Sequence, residues 1–199
     1  LDDIQEVTLA ESGGVESTLT QALIEMKDKL TEISLKESQR NWTIEGQALF
    51  SDILSKYSSD FNQLSDEIVR KLVHYIGALQ GGLFIVNKEG DQEDFLELAS
   101  CFAYDRKKFI HNKVEKGEGV VGQVWQEEKG VFITDFPDDH MLIKSGLGNQ
   151  RPSSLLVLPL IENNITYGVI ELASFKRIEK YKIDFVYKIA ENIATALSG

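Results

Sequence analysis

The chain changes its hydrophobic period once, and the change falls at Gly81-Gly82. Before it, apolar residues recur every three or four positions, as on one face of an α-helix. After it, short runs rich in Val, Ile, Phe and Tyr take over, as in β-strands. "GGLFIVN" (81–87) and "FLELASCFAY" (95–104) read as two strands joined by the turn "KEGDQED", and "VFITDF" (131–136) reads as a third. "SLLVLPLI" (154–161) and "ITYGVIELAS" (165–174) form a further pair across Asn163-Asn164, two residues that tolerate the positive φ of a tight hairpin turn. A last amphipathic helix runs from about Glu179 to Leu197, with Phe185, Val186, Ile189, Ile193 and Leu197 inward. Strands therefore do not alternate one-for-one with helices. The expected fold is α+β: a central, mainly antiparallel sheet of about five or six strands with flanking N- and C-terminal helices, preceded by a long helix of coiled-coil type.

Upstream of the change, residues 60–79 place Phe61, Leu64, Ile68, Leu72, Tyr75 and Leu79 on one helical face. Asp60 or Ser59 supplies the N-cap, and Gly81-Gly82 is expected to end the region. Further upstream, Leu19, Leu23, Met26, Leu30 and Ile33 step by 4, 3, 4 and 3. These five form an a/d seam that a lone helix cannot bury by itself. The seam stops at Glu37 and Arg40, while helical propensity continues through Trp42, Leu49, Phe50, Ile53 and Leu54 to about Tyr57. Either this helix packs on its own domain or it forms a parallel coiled coil joining two copies of the chain. Residues 1–16 read as a short helix or a frayed lead-in broken by Gly13-Gly14. The expected division is an N-terminal helical region, 1–57, followed by a globular domain, 58–199.

Composition narrows the function classes. A chain of 199 residues, 42% apolar and 27% charged, has the balance of one globular domain with an added element. It contains no apolar run long enough to span a bilayer and no secretory signal. It begins at Leu1, so it is expected to be a segment of a longer protein, and any membrane anchor would lie in the remainder. Residues 1–100 hold 19 acidic against 8 basic side chains, and residues 101–199 hold 13 of each, giving a net charge of −11. Such a surface repels nucleic acid and anionic lipid, which argues against both as direct partners. The single cysteine, Cys101, excludes an internal disulfide and fits a reducing compartment such as the cytoplasm.

One motif invites a nucleotide reading. Gly117-Glu118-Gly119-Val120-Val121-Gly122 spells G-x-G-x-x-G, with Asp138 and Asp139 downstream at the distance of a ribose-binding acid. A dinucleotide site needs a buried parallel strand before the glycines and a full crossover helix after them. Here the preceding "FIHNKVEK" is too polar for a central strand, and the following "VVGQVWQEEKG" is barely three turns long. The glycines are better read as scaffold: Gly117 and Gly119 permit a tight turn, and Gly122 lets a short helix pack closely on the sheet. Val120, Val121, Val124 and Trp125 supply the buried side of that helix.

"GEGVVGQVWQEEKGVFITDFP", then "SSLLVLPLIENNITYGVIELASF", then the closing helix, together resemble a GAF domain over roughly residues 58–198. The resemblance implies an antiparallel sheet with flanking helices on one face and a small-molecule pocket on the other, covered by short helices and loops. It implies a sensory module of a bacterial signalling protein, homodimeric through its N-terminal and flanking helices. The longer protein would then carry an output domain such as a histidine kinase or phosphatase. "LTQALIEMKDKLTEI" (19–33) is similar to the second helix of a HAMP linker, a connector that follows a transmembrane segment, without its acidic start and much of the connector.

Catalysis finds little support. His74, His111 and His140 stand at no metal-ligand spacing from another His or Cys, and no metal, cofactor or catalytic residue is expected. One branch of the GAF family reduces free methionine sulfoxide with several cooperating cysteines, whereas this chain has one. Bilin-binding members attach their chromophore through a cysteine, typically beside a histidine near a helix; Cys101 sits in a predicted strand before Phe102. Asn112-Lys113 begins the signature of cyclic-nucleotide-binding members, and Glu115-Lys116-Gly117 does not continue it. A binding pocket for an unidentified small molecule remains. Strand alternation puts Tyr167, Val169, Glu171 and Ala173 on one face, and Glu171 is the lone charge in an apolar strand. Phe84, Phe102, Tyr104, Trp125, Asp135 and Leu147 are the further candidates to surround it, beneath the loop 140–154. The alternative from another class is a ligand-free structural dimerisation and spacer module whose pocket is filled by its own side chains.

Overall fold

Tertiary contacts group the chain into two units, Leu1–Ile44 and Glu45–Gly199. The computed structural model describes residues 10–87, 94–103, 106–107, 113–134 and 152–198. In the first unit the described residues form part of one long helix, α1 (Ala10–Lys56). The helix passes straight through Gly13-Gly14, where the sequence suggests a broken lead-in. Each glycine costs a helix only about 1 kcal/mol, and no proline stands nearby to stop it. Leu19, Leu23, Met26, Leu30 and Ile33 lie along this helix and are 53% to 61% exposed, so within a single chain the apolar seam is uncovered.

The second unit holds residues 45–56 of α1, then α2 (Phe61–Ile76), and α4 (Lys180–Ser198) at its end. Asp60 caps α2 by accepting a hydrogen bond from the Gln63 N–H at 3.0 Å. The helix stops at Gly77, whose left-handed backbone (φ 75°) turns its N–H onto the His74 and Val73 carbonyls. The expected stop, Gly81-Gly82, lies instead inside the following strand. Gly77 enters the left-handed region without strain, while pairing with β2 and β7 holds Gly81 and Gly82 within a strand. The Lys182 Nζ of α4 donates to the Ile76 carbonyl at 3.1 Å, satisfying another acceptor of the α2 C-terminus.

The three helical segments meet in an aromatic junction. Phe50 of α1 is fully buried, with ring centroids 6.4 Å from Tyr75 of α2 and 5.9 Å from Phe185 of α4, both edge-on. Gly46, one turn earlier, makes room for these rings: a Cβ there would lie 2.6 Å from both Tyr75 and Phe185. Burial, and next the Glu45 carboxylate, push the Tyr75 phenol above its ordinary pKa.

The described strands form one antiparallel sheet of seven: β1 (Gln80–Asn87), β2 (Phe95–Ala103), β3 (Arg106–Lys107), β4 (Lys113–Val114), β5 (Val131–Ile133), β6 (Ser154–Glu162) and β7 (Ile165–Ser174). The order is β3-β2-β1-β7-β6-β5, with β4 also paired to β2. β3 and β4 are two residues each, too short and polar to carry a period-two signal. Asn163 and Asn164 take φ values of 52° and 61°, as the β6–β7 hairpin requires. One face of the sheet receives α2 and α4. On it Gly81 lies close under Val73 and Leu172, and the Ser100 Oγ donates to Asp66 of α2 at 2.7 Å. The opposite face carries the short helix α3 (Gly119–Glu127) and a core of Phe84, Leu96, Val114, Val121, Val124, Trp125, Leu155, Val157, Val169 and Ala173.

Truncating the ring at the centre of the junction should leave a cavity that three helices border. Phe50→Ala is expected to cost about 3–5 kcal/mol in urea unfolding. A loss below about 1 kcal/mol would mean that α1 residues 45–56 are not integral to the domain.

Candidate functional site

Glu171 is an ionisable side chain fully buried within an apolar strand, at 0% exposure. Its neighbours follow from the register. Across β1 it stands opposite Gly82, which stands opposite Cys101 of β2; on its other side it pairs with Val157 of β6. Antiparallel partners share a face, so Cys101, Gly82, Glu171 and Val157 form one row on the α3 side. Gly82 contributes no side chain to that row. Cys101 and Glu171 therefore flank a bare patch of backbone about 10 Å wide, two strand spacings. In the next row on the same face, Gln80 stands between Ala103 and Ala173, and it too is buried, at 3% exposure. Phe84, Val169 and Trp125 complete the apolar side. A small-residue floor thus carries two polar side chains and a thiol within an otherwise aliphatic and aromatic surface. Transferring a carboxylate into such surroundings costs several kcal/mol unless it is compensated. Among the described residues its Oε1 accepts no hydrogen bond, although the residue makes other interactions.

Three of the sequence candidates, Phe84, Trp125 and Glu171, come together on this face. Phe102 does not. β2 bulges between its pairings with Leu83 and Phe84, so that Leu83 faces Ser100 but Phe84 faces Leu98, and Ala99 is the extra residue. The bulge inverts the alternation, sending Leu96 and Leu98 to the α3 side but Ser100 and Phe102 to the helix side. There the Phe102 ring meets His74 edge-on at 5.3 Å. Cys101, which simple alternation would turn towards α2, joins the Glu171 row instead. Tyr104, Asp135 and Leu147 lie outside the described residues, as do His111, His140 and most of the loop 140–154. Gln80 and Gly82 carried no signal beyond their position at a strand start, where a polar residue and a glycine are ordinary. Among the described residues no group of three or more His, Cys, Asp or Glu side chains is placed to hold a metal ion. No helix among them is long and apolar enough to cross a membrane.

The glycine motif resolves as a closed turn. Gly117 and Gly119 take positive φ, 79° and 61°. The Gly117 N–H donates to the Gly122 carbonyl at 2.9 Å and the Glu118 N–H to the Glu115 carbonyl at 3.0 Å. The Glu118 carboxylate accepts from the Glu115 N–H, also at 3.0 Å. Two of the motif's amides are thus committed internally, and the Glu118 carboxylate beside them repels an anion. Gly122 does permit close packing, though against its own turn and not the sheet: a Cβ there would lie 2.4 Å from the Glu115 carbonyl oxygen.

A sequence model of the GAF domain matches residues 58–198. Among solved structures, the chain is similar to the GAF domain from an Acinetobacter phosphoenolpyruvate-protein phosphotransferase, with 13% identity over 77% of this chain and 93% of that one and a TM-score of 0.60. It is similar to the nlh2 GAF domain of A. aeolicus in an inactive state, with 23% identity, 80% and 94% coverage and a TM-score of 0.58. It also resembles the free methionine-R-sulfoxide reductase of Neisseria meningitidis in complex with its substrate, with 20% identity, 76% and 89% coverage and a TM-score of 0.54. At such identities the likeness concerns the fold. No curated protein sequence matches the chain significantly.

Gly122→Ala should destabilise the domain by about 1–3 kcal/mol, because the added methyl meets backbone and not a movable side chain. Titration calorimetry with ATP and NAD should register no binding to the unaltered chain. Nucleotide binding that the substitution abolishes would restore the phosphate reading.

Proposed function

Because the chain belongs to the GAF domain family, we propose that it is a regulatory sensor module of a signalling protein, which takes a small molecule on the sheet face bearing Glu171 and relays the change through its helices. The carrying observation is the buried carboxylate of Glu171 beside the bare Gly82 backbone, on the face opposite α2 and α4. Relay follows from the thinness of the layer between the two faces. Glu171 and Leu172 are consecutive in β7, and Leu172 lies against Gly81, which is itself under Val73 of α2. A shift of β7 driven from the Glu171 side meets an already tight contact on the helix side. α2 and α4 pass it to Phe50 of α1 through the aromatic junction. A ligand moves this balance only by its differential affinity for the two packings.

The same reading makes α1 the dimer element, with a histidine kinase or phosphatase as output domain in the longer protein and a cytoplasmic location. It assigns no catalytic step to the domain: Cys101 is the sole cysteine and is buried at 3% exposure, so no second thiol is present to form and resolve a disulfide. The reductase neighbour supports the use of this fold for small molecules, not a shared activity. A spacer module is the second reading, favoured by the apolar cluster of Phe84, Trp125 and Val169 that fills part of the same face.

Native mass spectrometry of freshly purified protein should reveal a bound small molecule, and Glu171→Gln should reduce its occupancy by at least about tenfold, the scale of a buried charge-assisted hydrogen bond. Cys101→Ser should leave occupancy unchanged. Protein that is ligand-free in every preparation, with no thermal shift from a metabolite panel, would favour the spacer.

A further inference from the structure

Charge is one-sided on the sheet face that carries Glu171. None of β1, β2, β5, β6, β7 and α3, which build that face, contains a lysine, arginine or histidine. Arg106 of β3 shares a row with Ala103 and Gln80, but β3 lies three strand spacings from β7, about 14 Å. Lys113 and Lys116 are exposed, over the rings of Phe95 and Trp125. A carboxylate at 0% exposure is therefore surrounded by elements that bring it no positive charge. Register also places a second polar group beside it. Gln80 is diagonal to both Glu171 and Cys101 across Gly82, and diagonal neighbours about 7–8 Å apart are within reach of long side chains. Its amide offers both donors and an acceptor. Around these groups Gly82, Ala103 and Ala173 add a hydrogen and two methyls, so little side-chain volume stands between them.

We infer that the ligand of this face carries a nitrogen cation, an ammonium or amidinium, which Glu171 receives, and a neutral hydrogen-bonding group beside it, which Gln80 receives. The inference rests on the sensor reading above and names the chemical class that the site selects. Charge decides between classes. A carboxylate or phosphate brought to this floor meets a like charge with no basic side chain of these six elements to receive it, so the face discriminates against anions and against the carboxylate end of a zwitterion. A neutral alcohol or amide satisfies Gln80 but leaves the buried charge uncompensated. A cation with an apolar body supplies what the sheet and α3 omit, and its hydrogen bond to Glu171 is of the charge-assisted, stronger kind. Because the compensation comes with the ligand, it is present only in the bound state. That difference between bound and free states is the differential affinity on which a conformational relay depends.

The test offers the 199-residue chain four probes with similar branched apolar bodies: isopentylamine, leucinamide, isopentanol and isovalerate. Ligand-observed NMR and titration calorimetry at neutral pH should show the amine binding at least about tenfold more tightly than the alcohol, the scale of a hydrogen bond to a charged group. Leucinamide should bind more tightly still, and isovalerate should not bind. Glu171→Gln should erase the preference for amine over alcohol while keeping the alcohol, and Gln80→Leu should remove only the advantage of leucinamide. Circular dichroism should show both variants folded. Equal affinity for amine and alcohol, or binding of isovalerate, overturns the cation assignment and leaves the sensor reading in place. An amine preference that emerges only after Lys144→Met or Arg151→Met, residues outside the described ones, also overturns it, because the counter-charge then comes from the chain itself. A molecule retained through purification that lacks a basic nitrogen does the same. A protein that binds none of the four probes and is ligand-free by native mass spectrometry overturns both the assignment and the sensor reading.

Discussion

Both faces of the central strands β1 and β7 are covered, and this constraint organises the second unit. A strand buried on one face alternates apolar with polar residues; one buried on both must be apolar or small throughout, or compensate each exception. β7 obeys this along Val169-Ile170-Glu171-Leu172-Ala173, where every side chain is buried and only Glu171 is charged. β1 obeys it by using Gly81 and Gly82 where α2 and the Glu171 row approach most closely. The helices α2 and α4, the aromatic junction and α3 are the means by which two apolar sheet faces are kept from water. Glu171 breaks the pattern, which is why the candidate site centres on it and not on an equally buried aromatic residue.

Much of this architecture is legible in the sequence, because its signals are local. The β6–β7 hairpin announces itself by Asn163-Asn164 between two apolar runs, and α2 by its stripe and its aspartate cap. Sidedness within β7 follows from alternation alone, so Glu171 falls on the expected face. Sidedness within β2 does not, because the bulge at Ala99 is set by pairing with β1 and leaves no mark in composition. That single extra residue exchanges Phe102 for Cys101 at the site. The C-terminal end of α2 is hidden for a related reason: Gly77 and Gly81-Gly82 are alike in sequence as stop signals, and only the tertiary placement of β1 selects between them. Gln80 gives no sign of being a site residue, since its burial depends on β2 and β7, whose facing residues Ala103 and Ala173 lie 23 and 93 residues further along the chain.

Within α1 the two units show two uses of the same helical period. Residues 45–56 bury Phe50 and Ile53 in a domain core, whereas residues 19–44 keep their stripe exposed. A helix with an apolar stripe open to solvent is not at rest energetically. Each large aliphatic side chain left in water forgoes about 1.5–3 kcal/mol relative to burial. Six such side chains, Leu19, Leu23, Met26, Leu30, Ile33 and Ile44, amount to an association potential, set among balanced charges.

The bulge at Ala99 also makes chain length, and not only residue chemistry, a determinant of what this domain recognises. Residues 100–103 keep their identity whichever way they face, yet deleting one residue upstream would send Phe102 to the Glu171 face and turn Cys101 towards α2. A floor that is bare and polar would become aromatic without one substitution within it. In a lineage of such domains, specificity can therefore change abruptly through a three-nucleotide deletion, and two chains aligned residue for residue across β2 can present opposite faces to their ligands.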